Sequence, residues 1–242
     1  MPKPDPAQTL VGAISLNTLA PGESVYAACA HSSFKTLAWG LAGVDGKISL
    51  EKSEFETDAE FAGRRGKLED ALNGIGLIVV CQPLEDNEDA PFRYDAEREM
   101  FVGSFSGHQN VWRDVRKTGS YVSRTRMGVR ATVTSSVDIE YDIDMGSALR
   151  DRERKCLKSD YISYSYEVPA PRSGAPALKA NGYLAFVGRI VSPFVDVSDS
   201  PGSPTLDDPH DVYERTITVY FAPNLVTVVG PVVQPWECKL AD

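Results

Sequence analysis

Residues 121–143 read YVSRTRMGVRATVTSSVDIEYDI, with mostly apolar odd positions and mostly polar even ones. Val129, Ala131, Val133, Val137, Ile139, Tyr141 and Ile143 fall on the odd side. The even side begins basic with Arg124, Arg126 and Arg130, passes through Thr132, Thr134 and Ser136, and turns acidic with Asp138, Glu140, Asp142 and Asp144. Successive side chains leave a strand on opposite faces, so a period of two predicts half-buried β-structure. A single strand of this length would measure about 75 Å, well beyond the usual size, so a bend or turn is expected. A three-residue loop at 134–136 preserves the odd parity. It would set Arg130 opposite Glu140 and Arg126 opposite Asp144, both pairs of opposite charge. A bent strand, or two strands in different sheets, preserves the parity equally well.

Working outward, further strand-like segments lie at Val11–Leu16, Ser24–Cys29, Lys47–Leu50, Ile75–Cys81 and Met100–Phe105. Later ones are Ile162–Val168, Tyr183–Val191, Val212–Phe221 and a final piece from Leu225 broken by Gly230-Pro231. Ile75–Cys81 and Tyr183–Val191 are continuous apolar runs, the pattern of strands buried on both faces. The stretches 107–114, 169–176 and 196–209 read as loops, the first as a loop or short strand. Residues 1–9 are proline-rich and read as an arm ahead of one β-rich domain, 10–242. Thr57 and Glu60 have capping-box spacing and open the best helix, 57–73, with Phe61, Leu68, Ala71 and Leu72 as its apolar stripe. Ser33–Leu41 and the charged piece Ser147–Leu157 are weaker helices. The pattern as a whole predicts a mainly β chain (a β-rich α+β fold). It is an antiparallel sandwich, jelly roll or barrel with one or two short helices packed outside.

The 242 residues carry a net charge of -9, which opposes nonspecific binding to nucleic acid or anionic membranes. Local charge is another matter. Arg113 to Arg130 holds six basic residues and one acid, whereas Glu85 to Glu99 is dominated by acids. These runs read as solvated surface or as complementary patches that meet between subunits. The N-terminus lacks the apolar core of a signal peptide, and no apolar run is long enough to span a bilayer. A virion or cytoplasmic location is therefore expected. Cys29, Cys81, Cys156 and Cys238 are scattered without a CxxC pair, and reduced thiols are expected.

No strong catalytic motif is present. The order Cys29, His108, Asn110 matches what a cysteine hydrolase needs: a thiol acidified near the N-terminus of a helix at 33–41, a base, and a group that orients the base. The same residues also read as a core cysteine and a polar turn. Cys29-Ala30-His31 with His108 and His210 could in principle hold zinc, but unrelated surface histidines explain them as well. On a strand, Asp138, Glu140, Asp142 and Asp144 spread over more than one Ca²⁺ ion can bridge. The chain has no GxGxxG or GxxxxGK[ST] loop, and no metal or cofactor is expected. A carbohydrate-binding sandwich would need an aromatic platform, for which Trp112 and Tyr161 alone are too few. The leading expectation is a self-assembling structural protein, most plausibly a virion component such as a capsid, cement or tail protein. It would contact itself or other particle proteins through Arg124, Arg126, Arg130, Asp138, Glu140, Asp142 and Asp144, and would not touch nucleic acid or membrane directly. The alternative is the hydrolase at Cys29 and His108.

Overall fold

The computed structural model describes residues 6–43, 52, 54–73, 76–85, 91–124, 128, 130–151, 156–160, 163–202, 204–205, 209–231 and 234–240. Four helices come first: α1 (Pro6–Asn17), α2 (Val25–His31), α3 (Phe34–Ala42) and α4 (Asp58–Asn73). Then follow β1 (Ile78–Pro83), β2 (Phe92–Asp95), β3 (Met100–Ser106), β4 (His108–Arg124), β5 (Arg130–Asp144) and α5 (Gly146–Asp151). The chain continues through β6 (Lys158–Asp160), β7 (Ser163–Pro169), α6 (Ala175–Asn181), β8 (Tyr183–Pro201), β9 (His210–Val229) and β10 (Trp236–Lys239). Among the described residues, strand positions outnumber helical ones, so the expected β-rich class with short helices is what forms.

The strands make two sheets. The larger runs β1-β8-β9-β5-β4, with β10 beside the end of β9, and the smaller runs β2-β3-β7-β6. All pairings are antiparallel except β5 with β9, which is parallel. The larger sheet curls into a nearly closed, barrel-like form. Its two outermost strands meet where Gln82 Nε2 of β1 donates to Asn110 O of β4 at 2.9 Å. The smaller sheet packs against one side of the larger one, with the rings of Phe105 and Phe186 in edge contact at 5.2 Å. Helix α3 fills the rest of that side. Its Phe34, Leu37, Ala38 and Leu41 are buried in the main core, and Trp39 Nε1 donates to Tyr141 OH. On the opposite face, Ala28 and Cys29 of α2 pack against Val79, Ala185, Val187 and Val229. Residues of β1 and β8 are thus buried on both faces, which is why their sequences run apolar without alternation.

Several expectations change. Val11–Leu16 and Ser24–Cys29 are helical, in α1 and α2. Leu10, Ala13 and Ile14 are buried at the i, i+3, i+4 spacing of a helix, and Ser24 caps α2 by accepting from Ala27 N at 3.2 Å. Short apolar runs fit either period until a partner surface selects one. Residues 6–9 of the expected arm are helical, because Pro6 already opens α1, and residues 1–5 lie outside the described residues. The 169–176 loop ends in α6, and residues 196–201 are strand rather than loop, since β8 runs on to Pro201. The segments Lys47–Leu50 and Val232–Val233 lie outside the described residues.

The hairpin also forms elsewhere. Residues 130–144 make one continuous strand, and the turn to β4 falls between Arg124 and Arg130, around Gly128 with φ of 83°. Gly128 takes the left-handed conformation that Thr134-Ser135-Ser136 has no glycine to supply. Glu140 therefore faces Arg113, and Arg130 faces Arg124. The expected Arg130–Glu140 register is wrong.

All four cysteines are oxidised. Cys29 bonds to Cys81 and Cys156 to Cys238, with Cα separations of 5.5 and 5.6 Å. The expectation of reduced thiols fails because scatter along the sequence says nothing about which positions the fold brings together.

Candidate functional site

A β-bulge shapes the polar cleft at the base of β4. The register steps from Asn110–Asp142 to Trp112–Tyr141, leaving Val111 as the extra residue. His108 and Asn110 before the bulge, and Arg113 after it, then share one face with the even-numbered acids of β5. The cleft has a volume of about 450 Å³ and is lined by Ser106, His108, Gln109, Asn110, Arg113, Glu140 and Asp142.

Both oxygens of Asp142 are taken. His108 Nε2 lies 3.0 Å from Oδ2, and Asn110 Nδ2 donates to Oδ1 at 2.9 Å. Arg113 donates through Nε and a terminal nitrogen to Asp138, and its Nε also lies 3.7 Å from Glu140 Oε1. Asp138 and Asp142 are each only 6% exposed, and a buried carboxylate is costly unless it is paired and hydrogen-bonded. Each has its partner on β4. The hydrogen bond to Asp142 raises the His108 pKa above the usual histidine value, against the effect of partial burial. Burial, then the nearby Asp142 charge, raises the Glu140 pKa, while Arg113 pulls it down. The Arg113 guanidinium is held in its charged form by Asp138.

The fold thus brings His108 and Asn110 together, as the order of residues hinted, but around Asp142 rather than a thiol. Cys29 lies inside α2 rather than at the N-terminus of α3, which Ser33 caps, and its sulfur is bonded to Cys81. It cannot act as a nucleophile in this state, so the Cys29–His108–Asn110 hydrolase reading is withdrawn. Among the described residues no three His, Cys, Asp or Glu side chains are placed to hold a metal ion. His31 pairs with Glu23 at 2.8 Å, and His210 starts β9 opposite Thr134. The cleft's chemistry is that of a clamp, in which the buried carboxylates Asp138 and Asp142 are each hydrogen-bonded by side chains of β4.

Beyond this clamp the larger sheet continues as a four-stranded extension, β8-β9-β5-β4. No residue of β4 from Trp112 to Arg124 is buried, and residues 196–201 of β8 are all exposed. The extension displays Val115, Tyr121, Val122, Val197 and Tyr213, which are 37–66% exposed. Val115, Val122 and Val197 were missed in the sequence because an element exposed on both faces has no burial period to reveal it. The expected interface set is divided by the fold. Asp138, Glu140 and Asp142 lie in the clamp. Asp144 sits beyond it, opposite His108, and its carboxylate accepts from Gly146 N at 2.8 Å. Arg124 and Arg130 face each other at the far tip, and Arg126 lies outside the described residues. Trp112 is exposed, and Tyr161 lies outside the described residues.

No family model matches the chain, and comparison with curated proteins and with solved structures gives no match. Among the described residues no helix is long and apolar enough to cross a membrane.

Proposed function

We propose that the protein is a self-assembling structural component, with the four-stranded extension as its subunit contact surface. The observation that carries this reading is a long sheet end with no second layer over it among the described residues. Val115 and Val122 on one face of it, and Tyr121, Val197 and Tyr213 on the other, would gain by burial against a neighbour, roughly 25 cal/mol for each Å² of apolar surface removed from water. A long, exposed edge strand is also a ready template for pairing with another chain, which natural proteins ordinarily block. A particle component such as a capsid, cement or tail protein is the class that fits best. The disulfide to Cys81 takes the Cys29 thiol out of use, and the net charge of -9 argues against a genome-binding role. The partners are then further copies of the chain or other particle proteins.

Native mass spectrometry and sizing chromatography at high protein concentration and low salt test the proposal. Rings, shells or other oligomers are expected, and electron microscopy would show their form. A monomer under these conditions would overturn it.

A further inference from the structure

The extension has two open edges, and their charges are opposite. One is β4, the last strand of the sheet. From Val111 to Arg124 it carries Arg113, Arg116, Lys117 and Arg124 against the single acid Asp114. Arg113 and Arg116 are already engaged by Asp138 and Asp114. Lys117, Arg124 and the facing Arg130 have no ion-pair partner among the described residues. Directly opposed like charges destabilise a strand pair, so Arg124 and Arg130 together call for a negative neighbour.

The second edge is the outer half of β8. β1 covers β8 only from Tyr183 to Gly188. Arg65 of α4 reaches Ser192, short of the stretch in question. From Val195 to Pro201, β8 has β9 on one side and no described strand on the other. This stretch contains Asp196 and Asp199 and no basic residue. Asp199 is occupied by Arg215, whereas Asp196 has no ion-pair partner among the described residues. Register places Asp196 across from Thr218, Thr218 across from Asp142, and hence Asp196 on the same sheet face as Lys117 and Arg124.

We infer that copies of this chain join head to tail, the basic β4 edge of one pairing with the acidic β8 edge of the next, so that the sheet runs on from subunit to subunit. The inference rests on the self-assembly proposed above and names the contact. Symmetric β4–β4 pairing would set basic edge against basic edge, whereas head-to-tail pairing sets opposite charges together. Both strands run from the clamp end toward the tip, since β8 and β4 are each antiparallel to one member of the parallel β9–β5 pair. An axis along the strands therefore makes the junction parallel, like the β5–β9 pair inside each subunit. A contact of this heterologous kind closes into a ring if its rotation closes, and otherwise grows as a filament.

Two exposed-surface variants test it. One is Lys117→Glu with Arg124→Glu, which makes both edges acidic. The other is Asp196→Lys with Ser198→Lys, which makes both edges basic. Circular dichroism checks that each folds like the parent. Alone, each variant is expected to lose assembly and run as a monomer in native mass spectrometry. Mixed in equal amounts they are expected to assemble again, alternating, because each then meets an opposite edge. Variants that assemble normally on their own, or a mixture that stays monomeric, would overturn the head-to-tail contact while leaving self-assembly intact. A monomeric parent protein would overturn both.

Discussion

Tyr166 shows how a single residue can sit at odds with its surroundings. Its ring lies over Gly103, directly across the β3–β7 pair, stacks on Trp236 at 5.2 Å, and is 2% exposed. A Cβ on Gly103 would overlap that ring, so the glycine is required for the close approach. The tyrosine hydroxyl, however, is buried with no hydrogen-bond partner among the described residues. Burial raises its pKa, so it stays neutral, but the lost hydration is not replaced. Tyr166→Phe is expected to raise stability by about 1 kcal/mol, read as a higher denaturant midpoint at unchanged slope. A lower midpoint would show that the hydroxyl has a partner. His108 carries the second residue-scale prediction. Its folded pKa is raised by Asp142, so the folded protein binds this proton more tightly than the unfolded chain. The stability it contributes is complete below about pH 6.5 and is lost as the pH rises through the folded value. His108→Gln should flatten that part of the stability–pH curve, and an NMR titration should place the imidazole above the ordinary histidine value. Because His31 is likewise raised by its hydrogen bond to Glu23, His31→Gln is the needed companion.

Among the elements, α4 is the one whose start was fully legible. Thr57 N donates to Glu60 Oε2 at 2.9 Å, and Glu60 N donates back to Thr57 Oγ1 at 3.2 Å, the reciprocal cap that the spacing predicted. Thr57→Ala should cost about 1 kcal/mol, measured as a lower denaturation midpoint and as faster amide exchange in the first turn. Of its apolar stripe, Phe61 is half-buried with the Arg64 guanidinium 5.3 Å from its ring centre, while the side chains of Leu68, Ala71 and Leu72 lie outside the described residues. β5 was legible as strand because Ile139, Tyr141 and Ile143 face the core while Asp138, Glu140 and Asp142 face the clamp. Its partner β4 was not, beyond a short strand or loop at its start. Trp112, Val115, Tyr121 and Val122 follow no period, since neither side of that strand is covered. α1 and α2 were misread for the opposite reason: both are short apolar runs that fit either period.

At the scale of the whole molecule, two disulfides tie distant parts of the chain together. Cys29–Cys81 fastens α2 to β1, and Cys156–Cys238 fastens the segment after α5 to β10, with sequence separations of 52 and 82 residues. Closing loops of this size restricts the unfolded chain by about 4 kcal/mol each in the loop-entropy account. A reductant should therefore lower the melting temperature markedly, and thiol titration of the unreduced, denatured protein should find no free thiol. Finding four would remove the disulfides from the account. Composition and periodicity by themselves determined the β-rich class, the doubly buried strands β1 and β8, the alternating faces of β5 and β9, and the cap of α4. Each of these is written into neighbouring residues, as a local period or a local hydrogen bond. Tertiary structure alone decided which cysteines meet, that His108 and Asn110 converge on Asp142, where the hairpin turns, and that two sheet edges of opposite charge stand open. Those features join residues tens of positions apart, and their energy comes from burial and pairing that exist only once the chain has folded.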